Sequence, residues 1–260
     1  MLIAHISDFH VFSDKPETPL VRLDAERVAR RVVADLAAFA PRLDAIALTG
    51  DLTDAGSAQD YALLQDILAP LSMPVFVVPG NHDRRYALRA AFADRLPFSD
   101  SSYLNYETRI GGLKVLALDT LIEGRGDGAL VPESLVWLAE RLPAGGTEPA
   151  LVLLHHPPFP SGIQSLDKAA LTAGRSEIAR LVREYRGPLT ILAGHIHRPF
   201  QATWNGAHCA VAGSPAFQMA LYLTPTPHEP SLVSEPYAYY VYRFEDGNVA
   251  VHTRYVYLDD

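Results

Sequence analysis

Through its first three quarters the chain alternates short apolar runs with amphipathic helical stretches, and that alternation leaves few architectures open. Residues 2–7, 43–49, 75–78, 114–118, 151–154 and 189–192 are apolar runs of strand length. Residues 21–39, 59–68, 133–141 and 175–185 carry helical patterns. Strands and helices in alternation argue for an α/β sandwich. The last quarter changes character. Residues 200–204 and 208–212 flank Asn205-Gly206, and 237–244 and 249–256 flank Asp246-Gly247, both strong hairpin signals. Between the hairpins, 224–236 holds Pro225, Pro227, Pro230 and Pro236 and reads as a loop, because proline removes ladder donors. A lid, a dimer arm and a plain surface loop all fit that segment. With no repeat or linker visible, the expectation is a single domain over residues 1–260.

Composition narrows the class. With 260 residues, 48% hydrophobic and 20% charged, the chain can bury a sizeable core and has an ordinary globular balance. Its longest apolar runs, such as 150–154, are far too short to cross a bilayer, so no membrane partner is expected. The first residues show no basic segment ahead of an apolar one, so no signal peptide is expected. One cysteine, Cys209, leaves no internal disulfide and fits a reducing cytoplasm. Net charge is −8 and no basic stripe is visible, which argues against polymeric nucleic acid as a partner. The basic cluster at 27–31 reads as a solvated helix face. An acidic chain can still take an anionic substrate where bound metal ions reverse the local sign.

The chemistry sits just past the strand ends, the edge at which open α/β sheets bind ligands. Asp8-Phe9-His10, Gly50-Asp51, Gly80-Asn81-His82-Asp83, His155-His156-Pro157-Pro158 and Gly194-His195-Ile196-His197 each follow an apolar run. In extended chain, residues i and i+2 point the same way, so Asp8 with His10, and His195 with His197, are expected to face one centre. A glycine before Asp51, Asn81 and His195 lets the backbone turn tightly. Mixed oxygen and imidazole donors suit Mn, Fe, Zn, Co or Ni, and the absence of thiolate disfavours a Cys-type zinc site. Each motif alone is weak; five in order are strong.

These motifs, read as DFH, GDLTD, GNHD, HHPP and GHIH, resemble the calcineurin-like metallophosphoesterase superfamily over residues 8 to 197. Within it, the ISDFH, PGNHD and LLHHPPFPSG stretches look most like class III cyclic nucleotide phosphodiesterases and the related bacterial glycerophosphodiesterases. The resemblance implies a four-layer αββα sandwich of two mixed β-sheets flanked by helices, with the metal site at the strand C-terminal ends. It also implies two divalent or mixed-valence ions. Asp8, His10, Asp51 and His197 would hold the first, and Asp51, Asn81, His155 and His195 the second, with Asp51 as bridge. His82 would be catalytic, facing the phosphate, where it would stabilise the transition state or protonate the leaving oxygen, with Asp54 orienting it. Asn81, His82 and His197 would contact substrate. His156 stays ambiguous, as a group behind the ligands. Such ion pairs lie roughly 3.5–4 Å apart and activate water for in-line attack.

The reaction implied is hydrolysis of small soluble phosphodiesters, with 3′,5′-cyclic nucleotides such as cAMP first and glycerophosphodiesters as the alternative. Sister families fit less well. Ala55 follows Asp54 where the Ser/Thr protein phosphatases usually carry Arg, and Asp54 stands where purple acid phosphatases have Tyr. A non-catalytic binding module predicts lost ligands, and none of the seven is lost. A phosphomonoesterase needs added positive charge, so Arg84 or Arg85 pointing inward would favour it; a solvated helix start is the other reading of that pair. His5 reads as a strand residue near the site, and His208, His228 and His252 as ordinary residues. Trp137 and Trp204 read as packing residues. Tyr237, Tyr239 and Tyr240 fit a groove or a homodimer interface.

Overall fold

The computed structural model describes residues 1–224, 229–245 and 247–258. Its first half runs β1 (Leu2–Ile6), α1 (Ala25–Ala37), β2 (Ala45–Leu48), α2 (Ala58–Leu68), β3 (Val75–Val77), α3 (Arg85–Phe92), β4 (Tyr106–Ile110), β5 (Leu113–Ala117) and β6 (Gly128–Ala129). The second half runs α4 (Pro132–Arg141), β7 (Ala150–Leu153), α5 (Gln164–Asp167), β8 (Leu171–Ala173), α6 (Arg175–Glu184), β9 (Leu189–Ala193), β10 (Phe200–Trp204), β11 (Ala207–Val211), β12 (Gln218–Met219), β13 (Leu232–Val233), β14 (Tyr237–Glu245) and β15 (Asn248–Val256).

Two mixed sheets form the centre. The first has the order β15-β14-β1-β2-β3, with β1, β2 and β3 parallel, β14 antiparallel to β1, and β15 antiparallel to β14. The second has the order β10-β11-β9-β7-β5-β4, parallel from β11 to β5 with antiparallel edges. Period-two alternation divides the core between layers. Val115 and Ala117 of β5, with Leu151 and Leu153 of β7, join the cluster that contains the first sheet and α1. Their neighbours Leu116, Val152 and Leu154 turn the other way, onto Leu138 of α4 and Ile178 and Leu181 of α6. Helices thus cover the outer faces, giving the helix–sheet–sheet–helix order expected.

Local signals explain most boundaries. Ser57 caps α2 in a reciprocal capping box with Asp60. Pro132 sits in the first turn of α4, where its missing N–H costs nothing. Asn205 and Gly206 both take positive φ, as a two-residue hairpin with right-handed strand twist requires. The short β6, β8, β12 and β13 outside the two central sheets are missed by the alternation; within those sheets β4 is the strand that it misses, because YETRI is half polar and lies on a sheet edge. Gly111 and Gly112, both at positive φ, are the turn signal that would have found it.

Three expectations change. Residues 21–24 lie outside α1, which begins at Ala25 after Asp24. Tyr237, Tyr239 and Tyr240 are buried within the first sheet, and the Tyr239 hydroxyl donates to Asp35 at 2.8 Å, while Tyr237 also borders a surface groove beside Phe217 and Leu232. Part of 224–236 is ordered as β13, which pairs with β12, while 225–228, including His228, lie outside the described residues. Trp204 packs near Phe159, and Trp137 lies under the Arg141 guanidinium. Among the described residues, no helix is long and apolar enough to cross a membrane.

Candidate metal centre

Five parallel strands end at one rim: β1, β2 and β3 from the first sheet, β7 and β9 from the second. Each delivers its motif within a few residues of its C-terminus. The delivery differs from a simple extension of the strand. Asp8, His10, Asp51, His195 and His197 all take positive φ, between 45° and 72°. Non-glycine residues adopt this region rarely, and such strain clusters at functional sites. The i, i+2 pairs therefore converge through left-handed turns and not through extended pleats. Two of the glycines also act otherwise than expected. A Cβ on Gly80 would fall 2.2 Å from Asp51 Oδ1, and one on Gly194 would fall 2.0 Å from Ser7 Oγ, so both are required by close approach.

The seven candidates form two adjoining groups. Asp8, His10, Asp51 and His197 offer donor atoms that all lie within 4.8 Å of one another. His10 Nε2 is 3.2 Å from His197 Nε2 and 3.5 Å from Asp51 Oδ2, and His197 Nε2 is 3.2 Å from Asp8 Oδ1. On the other side of Asp51, its Oδ2 lies 3.3 Å from His155 Nε2. Asn81 Oδ1 is 3.2 Å from that same nitrogen and 3.1 Å from His195 Nδ1. Asp51 Oδ2 is thus common to both groups. Except for Asn81 and His195, which are partly exposed, all seven are buried.

The outer hydrogen bonds fix what the inner atoms present. His10 Nδ1 faces the Asp54 carboxylate at 3.1 Å, His155 Nδ1 the Thr49 carbonyl at 2.7 Å, and His197 Nδ1 the Phe217 carbonyl at 3.1 Å. These partners accept only, so each ring donates from Nδ1 and, when neutral, turns the Nε2 lone pair inward. Inside stand carboxylates, the Asn81 oxygen and other lone pairs. Around the three rings whose Nδ1 is so fixed, acceptors facing acceptors at 3.2–3.5 Å repel unless a cation or proton lies between them, so this donor set fits divalent metal ions.

Ionisation follows the same crowding. Burial opposes charge on His155, but the Asp51 and Asp8 carboxylates outweigh it and lift the ring to about 9. Burial, with His155 close by, drives His195 down to about 3. His10 is also lowered, mainly by burial. Burial would raise Asp51, yet the surrounding imidazoles hold it well below the usual carboxylate range.

His82 stands beside this centre with 26% of its side chain exposed. Its backbone N–H donates to Asp51 Oδ1 at 2.9 Å, tying the ring to the shared carboxylate. Its Nδ1 is 3.0 Å from the Asp54 carbonyl and 3.4 Å from the Asp54 carboxylate. Burial lowers the His82 pKa, but Asp51 and the Asp54 carbonyl raise it further, so it ends above the ordinary value. Asp54 Oδ2 also accepts the N–H groups of Glu17 at 2.6 Å and Thr18 at 2.9 Å, pinning the segment before α1.

Other residues carry weight that the motifs alone do not show. Asp83, fully buried, accepts from the N–H groups of Leu52, Thr53 and Gly80, the Thr53 hydroxyl and Tyr61 Oη. Burial and the nearby Asp51 push it up to about 6. It fastens the Asn81 turn to the Asp51 turn. His156 joins His155 and His195 in a third-side group, with Nδ1 2.8 Å from Thr120 Oγ1 and Nε2 buried with no hydrogen-bond partner among the described residues. His5 lies beneath the site, with Nε2 3.0 Å from Thr49 Oγ1, and burial lowers it to about 3. Arg85 grips Asp119 at 2.6 and 3.0 Å, and Arg84 donates to the His82 and Asp83 carbonyls.

The family model for calcineurin-like phosphoesterases matches residues 1–199. A probable glycerophosphodiester phosphodiesterase of Arcobacter nitrofigilis is 29% identical over 98% of this chain and 93% of its own length. A cAMP/cGMP dual-specificity phosphodiesterase of Mycobacterium tuberculosis is 32% identical over 85% of this chain and 69% of its own. The 3′,5′-cyclic adenosine monophosphate phosphodiesterase of Pseudomonas aeruginosa is 30% identical over 77% of this chain and 71% of its own. A solved structure from Staphylococcus aureus, named as a candidate 5′-nucleotidase, shares the fold at TM-score 0.53 and 16% identity, covering all of this chain and 54% of that one. The chain belongs to the calcineurin-like phosphoesterase family.

Proposed function

We propose that the protein is a metal-dependent phosphodiester hydrolase with two ions that share Asp51. Asp8, His10, Asp51 and His197 would hold one ion, and Asp51, Asn81, His155 and His195 would hold the other. The observation that carries this reading is the set of inward lone pairs, fixed by Nδ1 bonds to Asp54, Thr49 and Phe217, around one shared carboxylate oxygen. When bound, divalent ions of the Mn, Fe, Zn or Co type supply Lewis acidity and an activated water.

The chain's own groups do the rest. Asn81, His82 and His197 line the place of the phosphate. His82 gives Nδ1–H to the Asp54 carbonyl, which aims Nε2 at the open side. Its pKa is raised above the ordinary imidazole value, mainly by Asp51 and the Asp54 carbonyl working against burial, which favours the form that can give a proton to the leaving oxygen. No covalent enzyme intermediate is required.

Arginine placement favours diesters over monoesters. A monoester dianion calls for added positive charge, yet Arg85 is committed to Asp119 and Arg84 to main-chain carbonyls. The first substrate class is 3′,5′-cyclic nucleotides such as cAMP. Glycerophosphodiesters are the second reading, favoured by the full-length alignment with the Arcobacter relative, which includes the C-terminal hairpins. The deciding experiment follows cAMP and glycerophosphocholine side by side by phosphorus NMR after metal reconstitution. Faster loss of one names the class; hydrolysis of a simple monoester alone refutes the diesterase reading.

A further inference from the structure

Three of the four imidazoles assigned to the ions are pinned from behind, and the fourth is not. The rings of His10, His155 and His197 are fixed by Nδ1 bonds to Asp54, Thr49 and Phe217. His195 is reversed. Its Nδ1 faces inward, 3.1 Å from Asn81 Oδ1, and its outer nitrogen, Nε2, has no hydrogen-bond partner among the described residues. Its main chain is anchored, because the N–H donates to both Asp8 oxygens at 3.1 Å. Nothing polar holds the outer edge of its ring. Imidazole ligands usually take their orientation from a bond at that edge, so His195 needs another constraint.

Packing supplies one. The His156 ring lies 4.6 Å from the His195 ring, centroid to centroid, and 4.8 Å from the His155 ring. His156 is itself held firmly. It is buried, its Nδ1 is 2.8 Å from Thr120 Oγ1, and its backbone N–H donates to the same hydroxyl at 3.4 Å. On its other side stands Gly128, where a Cβ would fall 2.3 Å from the ring, so the strand backbone can approach it only as glycine. The ring's Nε2 has no hydrogen-bond partner among the described residues, which leaves its faces and Nδ1 to act on its neighbours. Thr120 is fixed in turn by Asp119, whose buried carboxylate takes both Arg85 bonds and the N–H groups of Leu104 and Leu121. A bidentate pair of this kind is geometrically specific.

We infer that His156 is a positioning residue for the ion assigned to Asp51, Asn81, His155 and His195: its ring is the wall that fixes the His195 imidazole, and the Thr120 hydroxyl fixes the wall. The inference rests on the two-ion reading above. The brace runs from the start of α3 through Arg85, Asp119, Thr120 and His156 to His195, so the Arg85 ion pair acts on the site without reaching substrate. Among the described residues, the ring contacts of His156 reach His155 and His195 and no imidazole of the other ion's set. Its effect should therefore fall on one ion and spare the other.

Calorimetric titration of the chelator-stripped full chain with Mn²⁺ tests this, with circular dichroism as the check on folding. His156→Ala should weaken one of two equivalents by about 10–100-fold, the usual cost of losing a group that orients a ligand, and leave the other unchanged. His156→Phe, which keeps a ring without nitrogen, should recover most of that loss. Thr120→Val should weaken the same equivalent by a smaller factor. Should His156→Ala disturb the fold, the other two variants still decide. Wild-type affinity at both ions in His156→Ala or in Thr120→Val overturns the inference, as does equal loss at both. A loss in His156→Phe as large as in His156→Ala also overturns it, because the nitrogen would then be a ligand itself. A wild type that takes only one equivalent overturns the two-ion reading along with it, which tells the two failures apart.

Discussion

Asp54 Oδ1 lies 3.1 Å from His10 Nδ1, nearer than its 3.4 Å approach to His82 Nδ1. The carboxylate that the motif assigns to the catalytic histidine thus bears first on a candidate metal ligand, while its main-chain carbonyl serves His82. Asp54→Asn should accordingly weaken metal binding as well as turnover, each about 10–100-fold, the usual range for groups that orient ligands. Metal titration beside steady-state kinetics checks this. Reduced turnover with unchanged metal affinity would confine Asp54 to His82.

If His82 protonates the leaving oxygen, its removal should matter most for poor leaving groups. His82→Ala should slow an alkyl diester by about 100–10,000-fold and a p-nitrophenyl diester far less. Equal losses on both substrates would leave His82 a binding role only.

The charge on His155 gives a pH dependence to the metal-free protein. Its folded pKa is about 9, above the ordinary 6.5, so its charged form stabilises the fold fully below about 6.5. That contribution is lost as pH rises from about 6.5 through about 9. Metal binding must displace the same proton. Metal-free protein should lose thermal stability over this window, and metal addition at pH 7 should release protons measurable in weak buffer. A metal-free melting profile flat from pH 6.5 to 9 would contradict this.

Asp83 provides a stability test that does not depend on metal. Asp83→Ala strands three buried backbone donors and the Tyr61 hydroxyl. The cost should be about 3 kcal/mol or more, a fall of roughly 6–12 °C in Tm. A shift of less than about 2 °C would mean that the two turns hold together by other contacts.

Much of this was legible in the sequence. Asp51 and Asn81 could be read as site residues because each follows an apolar strand pattern and a glycine, and parallel strands must end at one edge. What remained hidden was non-local or conformational. Left-handed backbone at Asp8 and His195 leaves no mark on residue type, so extended geometry was the natural and incorrect expectation. The pairing of Asp54 with His10 joins turns 44 residues apart, and no spacing rule reaches that far. β4 is half polar on a sheet edge, so its periodicity is weak. Asp83 stood in plain view as the fourth residue of its motif, but its role depends on donors from Leu52 and Tyr61 that only the fold brings near.

The central claim is a pair of ions sharing Asp51, and Mn²⁺ titration of chelator-stripped protein tests it most directly. Diester hydrolysis should rise with added metal and level off near two equivalents, with an electron paramagnetic resonance signal of two exchange-coupled ions. Saturation at one equivalent with an isolated-ion signal, or full hydrolysis without metal, would contradict it.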